Sequence, residues 1–271
     1  MKVRASVAGV VGVLAVLAAS TLLLRGEPVM QRRLWLPVVM SDNALVVPPP
    51  VLRGAAMPWQ YQVCSDVAQL DASWWYNWRT ARRGCDTPGF IPMVWGRITS
   101  TPVLTDGGQW LLGFNEPDNP GQAHMTPEEA AALWPLLVAT GRKLASPATM
   151  ECEWCTPGYL DATWLQRFMT MVDTDTVSII ATHYYGCSPD RLRTHLAGLW
   201  VRYRKPIWVT EMGCAWGTPE QMRAMLGGLG AYHVERVAWF ATRTPDWPWL
   251  PPLVADDGTL TELGREYGLH N

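Results

Sequence analysis

Residues 110–117 read Trp-Leu-Leu-Gly-Phe-Asn-Glu-Pro. A short apolar run bounded by turn signals predicts a buried strand. This one ends on a polar pair, Asn115-Glu116. Carboxylates are rarely buried without a partner, so packing alone gives no account of Glu116. At the C-terminal end of a barrel strand it would stand where active sites form. Residues 206–214, Pro-Ile-Trp-Val-Thr-Glu-Met-Gly-Cys, repeat the design and deliver Glu211. The two runs predict a scaffold that brings Glu116 and Glu211 face to face.

Outward from these runs, strand-like stretches alternate with helix-like ones. Further strands are predicted over 53–57, 73–78, 90–96, 144–150, 177–186 and 234–241. Thr126-Pro127-Glu128-Glu129 and Thr218-Pro219-Glu220-Gln221 are capping boxes with Pro at the first helical position. Ser188-Pro189-Asp190 opens another helix in a similar way, and residues 159–172 and 262–267 look helical too. Pro135 should kink or end the helix after Thr126. Arg79, Arg82 and Arg83 read as a solvated helix face. Strands apolar on both faces, alternating with helices, predict a parallel sheet. About eight such repeats in roughly 220 residues predict a compact (β/α)8 TIM barrel. The competing doubly wound sheet wants a Gly-rich phosphate turn after its first strand, and the sequence has none.

The chain has 271 residues and a net charge of −2, so it lacks the basic footprint of a nucleic-acid binder. Lys2 and Arg4 precede an uncharged apolar run, residues 7–24. That run is either a signal peptide or a single membrane anchor, and either places the remainder outside the cytoplasm. Residues 1–25 are thus assigned to the leader. Residues 26–50, ending in Pro48-Pro49-Pro50, are assigned to a linker, and 51–271 to the catalytic domain. Cys152-Glu153-Trp154-Cys155 has a metal-site spacing, but no second pair at matching spacing follows it. With a leader present, disulfides are the better account of the six Cys. Cys187 and Cys214, each after a predicted strand end, are a candidate pair; the connectivity of Cys64, Cys85, Cys152 and Cys155 stays open. Nothing in the sequence demands more than a monomer.

Hydrolysis of a glycosidic bond uses two carboxyl groups, one as acid and one as nucleophile or base. Glu116 and Glu211 fit that need. The 16 Trp are the outlying count, and Trp serves either as core or as a platform for sugar rings. Trp75, Trp95 and Trp239 are candidate platforms, with core packing as the competing account. His183 and Tyr185 are candidates for supporting the carboxylates or the sugar, and Tyr76 for touching either. Several stretches then occur in a telling order. They are Leu112-Gly113-Phe114-Asn115-Glu116-Pro117-Asp118, Trp74-Trp75-Tyr76-Asn77-Trp78, Pro92-Met93-Val94-Trp95-Gly96, Ser146-Pro147-Ala148, His183-Tyr184-Tyr185 and Pro206-Ile207-Trp208-Val209-Thr210-Glu211. Together they resemble glycoside hydrolase family 128, across residues 54–267. The resemblance implies a (β/α)8 barrel that hydrolyses β-1,3-glucan with retention of configuration. Glu116 would be the acid/base and Glu211 the nucleophile. Asn115 would bond the sugar 2-hydroxyl and the nucleophile. No metal or organic cofactor is implied. Met212 stands where the family usually has Phe, and residues 119–124 vary a loop that shapes the cleft. Two other outcomes remain: hydrolysis of a different β-glycan, or a non-catalytic glycan-binding barrel at the cell surface.

Overall fold

The computed structural model describes residues 40–41, 44–45, 50–106 and 108–268. The leader (1–25), its apolar run (7–24) and most of the linker (26–50) lie outside the described residues. Within the linker, Met40–Ser41 (β1) and Ala44–Leu45 (β2) form a short antiparallel pair.

The elements then follow in alternation: β3 (Leu52–Ala56), α1 (Ser65–Gln69), β4 (Trp74–Tyr76), β5 (Trp110–Leu111), α2 (Pro127–Val138), β6 (Lys143–Ala145), β7 (Thr149–Cys152) and α3 (Trp164–Met171). After them come β8 (Val177–Tyr185), α4 (Pro189–Tyr203), β9 (Ile207–Gly213), α5 (Pro219–Leu226), β10 (Val234–Phe240) and α6 (Glu262–Gly268). The strands form a curled parallel sheet in the order β4-β3-β10-β9-β8-β6-β5, with β7 also on β8.

The predicted strand over 90–96 is reduced to single parallel bridges, Trp75↔Phe90 and Met93↔Leu112. Pro92 supplies no N–H there, so the ladder cannot run on. The segment nonetheless bonds both ends of the sheet: Ile91 N–H donates to the Trp75 carbonyl, and Leu112 N–H to that of Pro92. The predicted helix over 159–172 starts only at Trp164, after the Pro157-Gly158 turn, where Gly158 has φ +81°. Both capping boxes form as the sequence indicates, and Ser188 Oγ accepts from Arg191 N–H at 3.3 Å. Pro135 does not end α2, which runs on to Val138.

Strand alternation sorts the core into two layers. Trp74, Tyr76, Ile179, Ala181, Tyr185, Trp208, Ala238 and Phe240 pack together on the inner face. Trp75, Tyr184, Val209, Met212, Val237 and Trp239 pack with Leu192, Leu196 and Met222 of α4 and α5 on the outer face. Successive side chains point to opposite faces of a strand. Tyr76 and Trp75 therefore cannot both face inward.

Candidate active site

Glu116 leaves the end of the β5 run held on both sides. Asn115 N–H donates to the Trp95 carbonyl at 2.9 Å, and Glu116 N–H to the Ala148 carbonyl at 2.8 Å. Gly113 permits this: a Cβ there would stand 2.9 Å from the Ala145 carbonyl oxygen. Glu116 itself has φ +40°, a left-handed conformation that few side chains adopt. Such strain persists only where the surroundings over-determine it, and it gathers at functional sites.

Glu211 is aimed by a different device. On β9, Trp208 faces inward and Val209 outward, so plain alternation would turn Glu211 outward. Residues 182 and 183 of β8 pair with Val209 and Glu211, skipping Thr210. This β-bulge adds one residue, reverses the phase and sends Glu211 into the centre while Met212 joins the outer layer.

The two carboxylates meet across His183, which is fully buried. Its Nδ1 lies 2.7 Å from Glu116 Oε1 and its Nε2 3.3 Å from Glu211 Oε1. One oxygen of Glu116 and one of Glu211 lie within 4.8 Å of each other. Their other partners differ. Asn119 Nδ2 donates to Glu116 Oε2 at 2.8 Å. Glu211 receives the Trp78 indole N–H on Oε1 at 2.8 Å and the Tyr185 hydroxyl on Oε2 at 2.5 Å. Tyr76 hydroxyl stands 3.3 Å from Glu211 Oε1 and 2.9 Å from the Thr210 carbonyl oxygen.

Burial dominates the electrostatics, because it disfavours the charged form of any group. It pushes the Glu116 carboxyl up to about 7, against the pull of the Asn119 hydrogen bond. Burial raises Glu211 too, opposed by His183 and by the Tyr185 and Trp78 donors. His183 is pushed down by burial, which favours its neutral ring, against the pull of the Glu211 charge. Asp118 rises to about 8 through burial and the nearby Glu116 charge, and its carboxyl accepts from Met150 N–H at 3.2 Å.

Above this centre opens a cleft of about 640 Å³ that includes Asn115, Glu116, Tyr185 and Glu211 in its lining. Trp95 lines it and is 41% exposed. Tyr76, His183 and Tyr185 are at the carboxylates, as given above. Asn115 differs from the expectation: its Nδ2 donates to Gln122 Oε1 at 3.3 Å, and its buried Oδ1 has no protein partner. Trp75 and Trp239 lie fully buried in the outer core layer, away from the cleft. Arg79 and Arg83 are not on a helix; their guanidinium groups lie 4.4 and 4.9 Å from the Trp59 ring centre.

The aromatic lining that sequence reasoning missed is Trp59, Trp78, Trp154, Phe240, Trp247 and Trp249. Trp78 was within reach, since 74, 76 and 78 share a parity in an aromatic run. Asn119 carried no signal of its own.

Glu116, His183 and Glu211 also form the geometry of a three-ligand metal set. The indole, phenol and amide donors aimed at both carboxylates already serve the charge that a cation would otherwise balance. All six Cys are paired, as Cys64–Cys85, Cys152–Cys155 and Cys187–Cys214. Such pairing belongs to an oxidising compartment.

Known proteins share the family and the fold. The family described as Glycosyl hydrolase catalytic core matches residues 54–267. The crystal structure of a GH128 (subgroup II) endo-β-1,3-glucanase from Sorangium cellulosum is 30% identical, with a TM-score of 0.68 over 81% of this chain and 98% of that one. A GH128 (subgroup III) curdlan-specific exo-β-1,3-glucanase from Blastomyces gilchristii is 26% identical, with a TM-score of 0.62 over 80% and 97%. Alkali-sensitive linkage protein 1 of Schizosaccharomyces pombe is 26% identical over 219 residues, 72% of this chain but only 40% of that relative's length. With the family match running from residue 54 to 267 of the 271, the chain belongs to the glycosyl hydrolase catalytic core family, glycoside hydrolase family 128, and is a glycoside hydrolase.

Proposed function

We propose that the protein is a retaining endo-β-1,3-glucanase with Glu116 as acid/base and Glu211 as nucleophile. The observation that carries this is the pair of carboxylate oxygens within 4.8 Å at the floor of an aromatic cleft. Retaining enzymes hold their carboxyl groups about 5–5.5 Å apart, whereas inverting ones leave about 6.5–9.5 Å for a water. The scaffold is a (β/α)8 barrel closed through residues 89–94. The bonds of that segment to both β4 and the β5 run support the closure. β-1,3-Glucan is the substrate of both solved relatives described above, and endo action follows the nearer one.

The roles follow from the donors. Trp78 N–H can only donate, so Glu211 Oε1 must accept, which favours a carboxylate. Glu116 Oε1 faces His183 Nδ1, which accepts a proton when the neutral ring carries its hydrogen on Nε2. Burial, which holds the Glu116 carboxyl at about 7, favours the same protonated starting form. In the first step a Glu211 oxygen bonds the anomeric carbon as the glycosidic C–O bond breaks, and the Glu116 proton goes to the leaving oxygen. In the second step water attacks that carbon, gives its proton to Glu116 and releases Glu211. The orphaned Asn115 Oδ1 accepts from a sugar hydroxyl. The disulfides support an extracytoplasmic location, reached through residues 1–25 as signal or anchor.

The test is product analysis on a defined β-1,3-gluco-oligosaccharide, following anomeric configuration by NMR. The β-anomer should appear first, with internal bonds cut, and Glu116→Gln and Glu211→Gln should each lose several orders of magnitude in kcat. Initial α-anomer would refute retention. Release of glucose from one end alone would replace endo with exo action. Near-wild-type activity in either variant would remove its assigned role.

A further inference from the structure

We infer that the four-residue loop closed by the Cys152–Cys155 disulfide is a built sugar platform, with Trp154 as its binding surface. The inference rests on the glucanase reading above and adds a binding site to it. Three of the loop's residues, Cys152, Trp154 and Cys155, line the cleft. The fourth, Glu153, is its anchor. Its N–H donates to the Tyr185 carbonyl at 2.8 Å. Its carboxylate accepts from the Tyr184 hydroxyl, from Cys187 N–H at 3.3 Å and from Ser188 N–H at 3.2 Å. Gly186 makes room for it, since a Cβ there would stand 2.4 Å from the Glu153 carboxyl carbon.

The loop is thus fixed by a covalent bond at its base and by four hydrogen bonds at Glu153. Trp154 is left 46% exposed, its ring meeting that of Tyr185 at 6.3 Å, edge-on. Tyr185 in turn bonds Glu211. So much constraint around one half-exposed indole is out of proportion to any packing it does. An amphipathic ring held rigid at a cleft wall loses little entropy on binding, and suits the apolar face of a pyranose. The platform lies beside the nucleophile, so it would hold a sugar ring near the reacting one.

The test compares wild type, Trp154→Phe, Trp154→Ala, Cys152→Ser/Cys155→Ser and the triple variant. Kinetics on a β-1,3-gluco-oligosaccharide are paired with calorimetric binding of the same sugar in a Glu116→Gln background. Trp154→Ala should lower kcat/KM about tenfold, chiefly through KM, and weaken binding by a similar factor, equivalent to roughly 1.4 kcal/mol. Trp154→Phe should retain most of both. The double Cys variant should lose about as much as Trp154→Ala, and Trp154→Ala should then add less than about twofold in that background. Binding and KM within about twofold of wild type for Trp154→Ala would overturn the platform, as would an undiminished Trp154→Ala effect in the Cys-free loop. A wild-type enzyme inert on every β-1,3-glucan would instead sink the substrate assignment; that is a separate result.

Discussion

Asn119 reaches the paired carboxylates through its bond to Glu116, so its removal probes how the proposed acid is set. Its Nδ2 bonds Glu116 Oε2 at 2.8 Å, and among the described residues it is absent from the cleft lining. A hydrogen bond to a charged group is worth about 1.5–3 kcal/mol and favours the ionised carboxylate. Removing it should raise the Glu116 pKa by roughly one unit or more, at about 1.4 kcal/mol per unit. Since burial already holds Glu116 at about 7, Asn119→Ala should move it to about 8 or above. In the proposed mechanism Glu116 is the acid and must be protonated in the free enzyme, so the basic limb of the kcat/KM profile should move up with it. At pH 8 the variant should keep about half of its own plateau, where wild type keeps about a tenth. Asn119 Oδ1 also accepts from Gly121 N–H at 2.9 Å, so the Ala variant loosens the loop as well. Asn119→Asp keeps that acceptor, loses the donor and adds a negative charge, so its basic limb should move up further. A basic limb that stays at about 7 in both variants, or moves down, would refute this account of Glu116.

The same burial sets a stability prediction. Glu116 rises from 4.5 to about 7 on folding, so the folded state binds its proton more tightly than the unfolded chain. Its contribution is fully present below about 4.5 and is lost as pH rises through about 7, in all about 3 kcal/mol. Glu116→Gln should therefore stabilise the fold by about 3 kcal/mol more at pH 8 than at pH 4.5, read by urea unfolding; an equal effect at both would contradict it. Trp78→Phe removes the indole donor to Glu211 and should lower kcat by about ten- to a hundredfold, with the acidic limb of the profile moving up; an unmoved limb would deny Trp78 its role. Cys187→Ala/Cys214→Ala opens a 27-residue closure between the exits of β8 and β9 and should reduce unfolding free energy by about 3.5 kcal/mol in urea titration. Asp66→Asn breaks the two-point pair with Arg243, whose bonds measure 2.8 and 3.0 Å around a fully buried carboxylate. It should destabilise the protein by about 3–5 kcal/mol with no change in KM.

The two carboxylates that meet at the cleft were legible because an acid at the end of an apolar strand has few structural explanations. The helix starts were legible because a capping box is a local pattern with local geometry. Parity was the signal left unused. Trp74, Tyr76 and Trp78 alternate with Trp75, so choosing Tyr76 as a site residue already sent Trp75 to the outer layer. Trp239 fails for the same reason, since Ala238 and Phe240 flank it on the inner face. Glu211 is the opposite case. Simple alternation from Trp208 would have turned it outward, and only the bulge at Thr210 rescues the assignment. A bulge depends on pairing with neighbouring strands, which no single stretch records. Asn119, Trp154, Trp247 and Trp249 sit on loops, where direction comes from tertiary anchors such as Glu153 rather than from a period.

The two acids owe their difference to what donates to them more than to how deeply they lie, since both are almost fully buried. Glu211 is surrounded by groups that give hydrogen bonds, whereas Glu116 has one such donor and a ring nitrogen able to take a proton. Keeping that asymmetry requires a left-handed backbone at Glu116 and again at Trp78, with φ +40° and +58°. Each such residue costs on the order of 1–3 kcal/mol. The disulfides gather where that strain is: Cys64–Cys85 joins the loops that follow β3 and β4, Cys152–Cys155 closes the exit of β7, and Cys187–Cys214 ties the exits of β8 and β9. Among the described residues no disulfide cysteine lies within a helix, and α4 and α5 are held on the sheet by Leu192, Leu196, Met222 and their apolar neighbours. Apolar burial is enough where the chain only has to fold. Covalent staples appear at the strand exits, beside the two buried carboxylates and the left-handed residues Glu116 and Trp78.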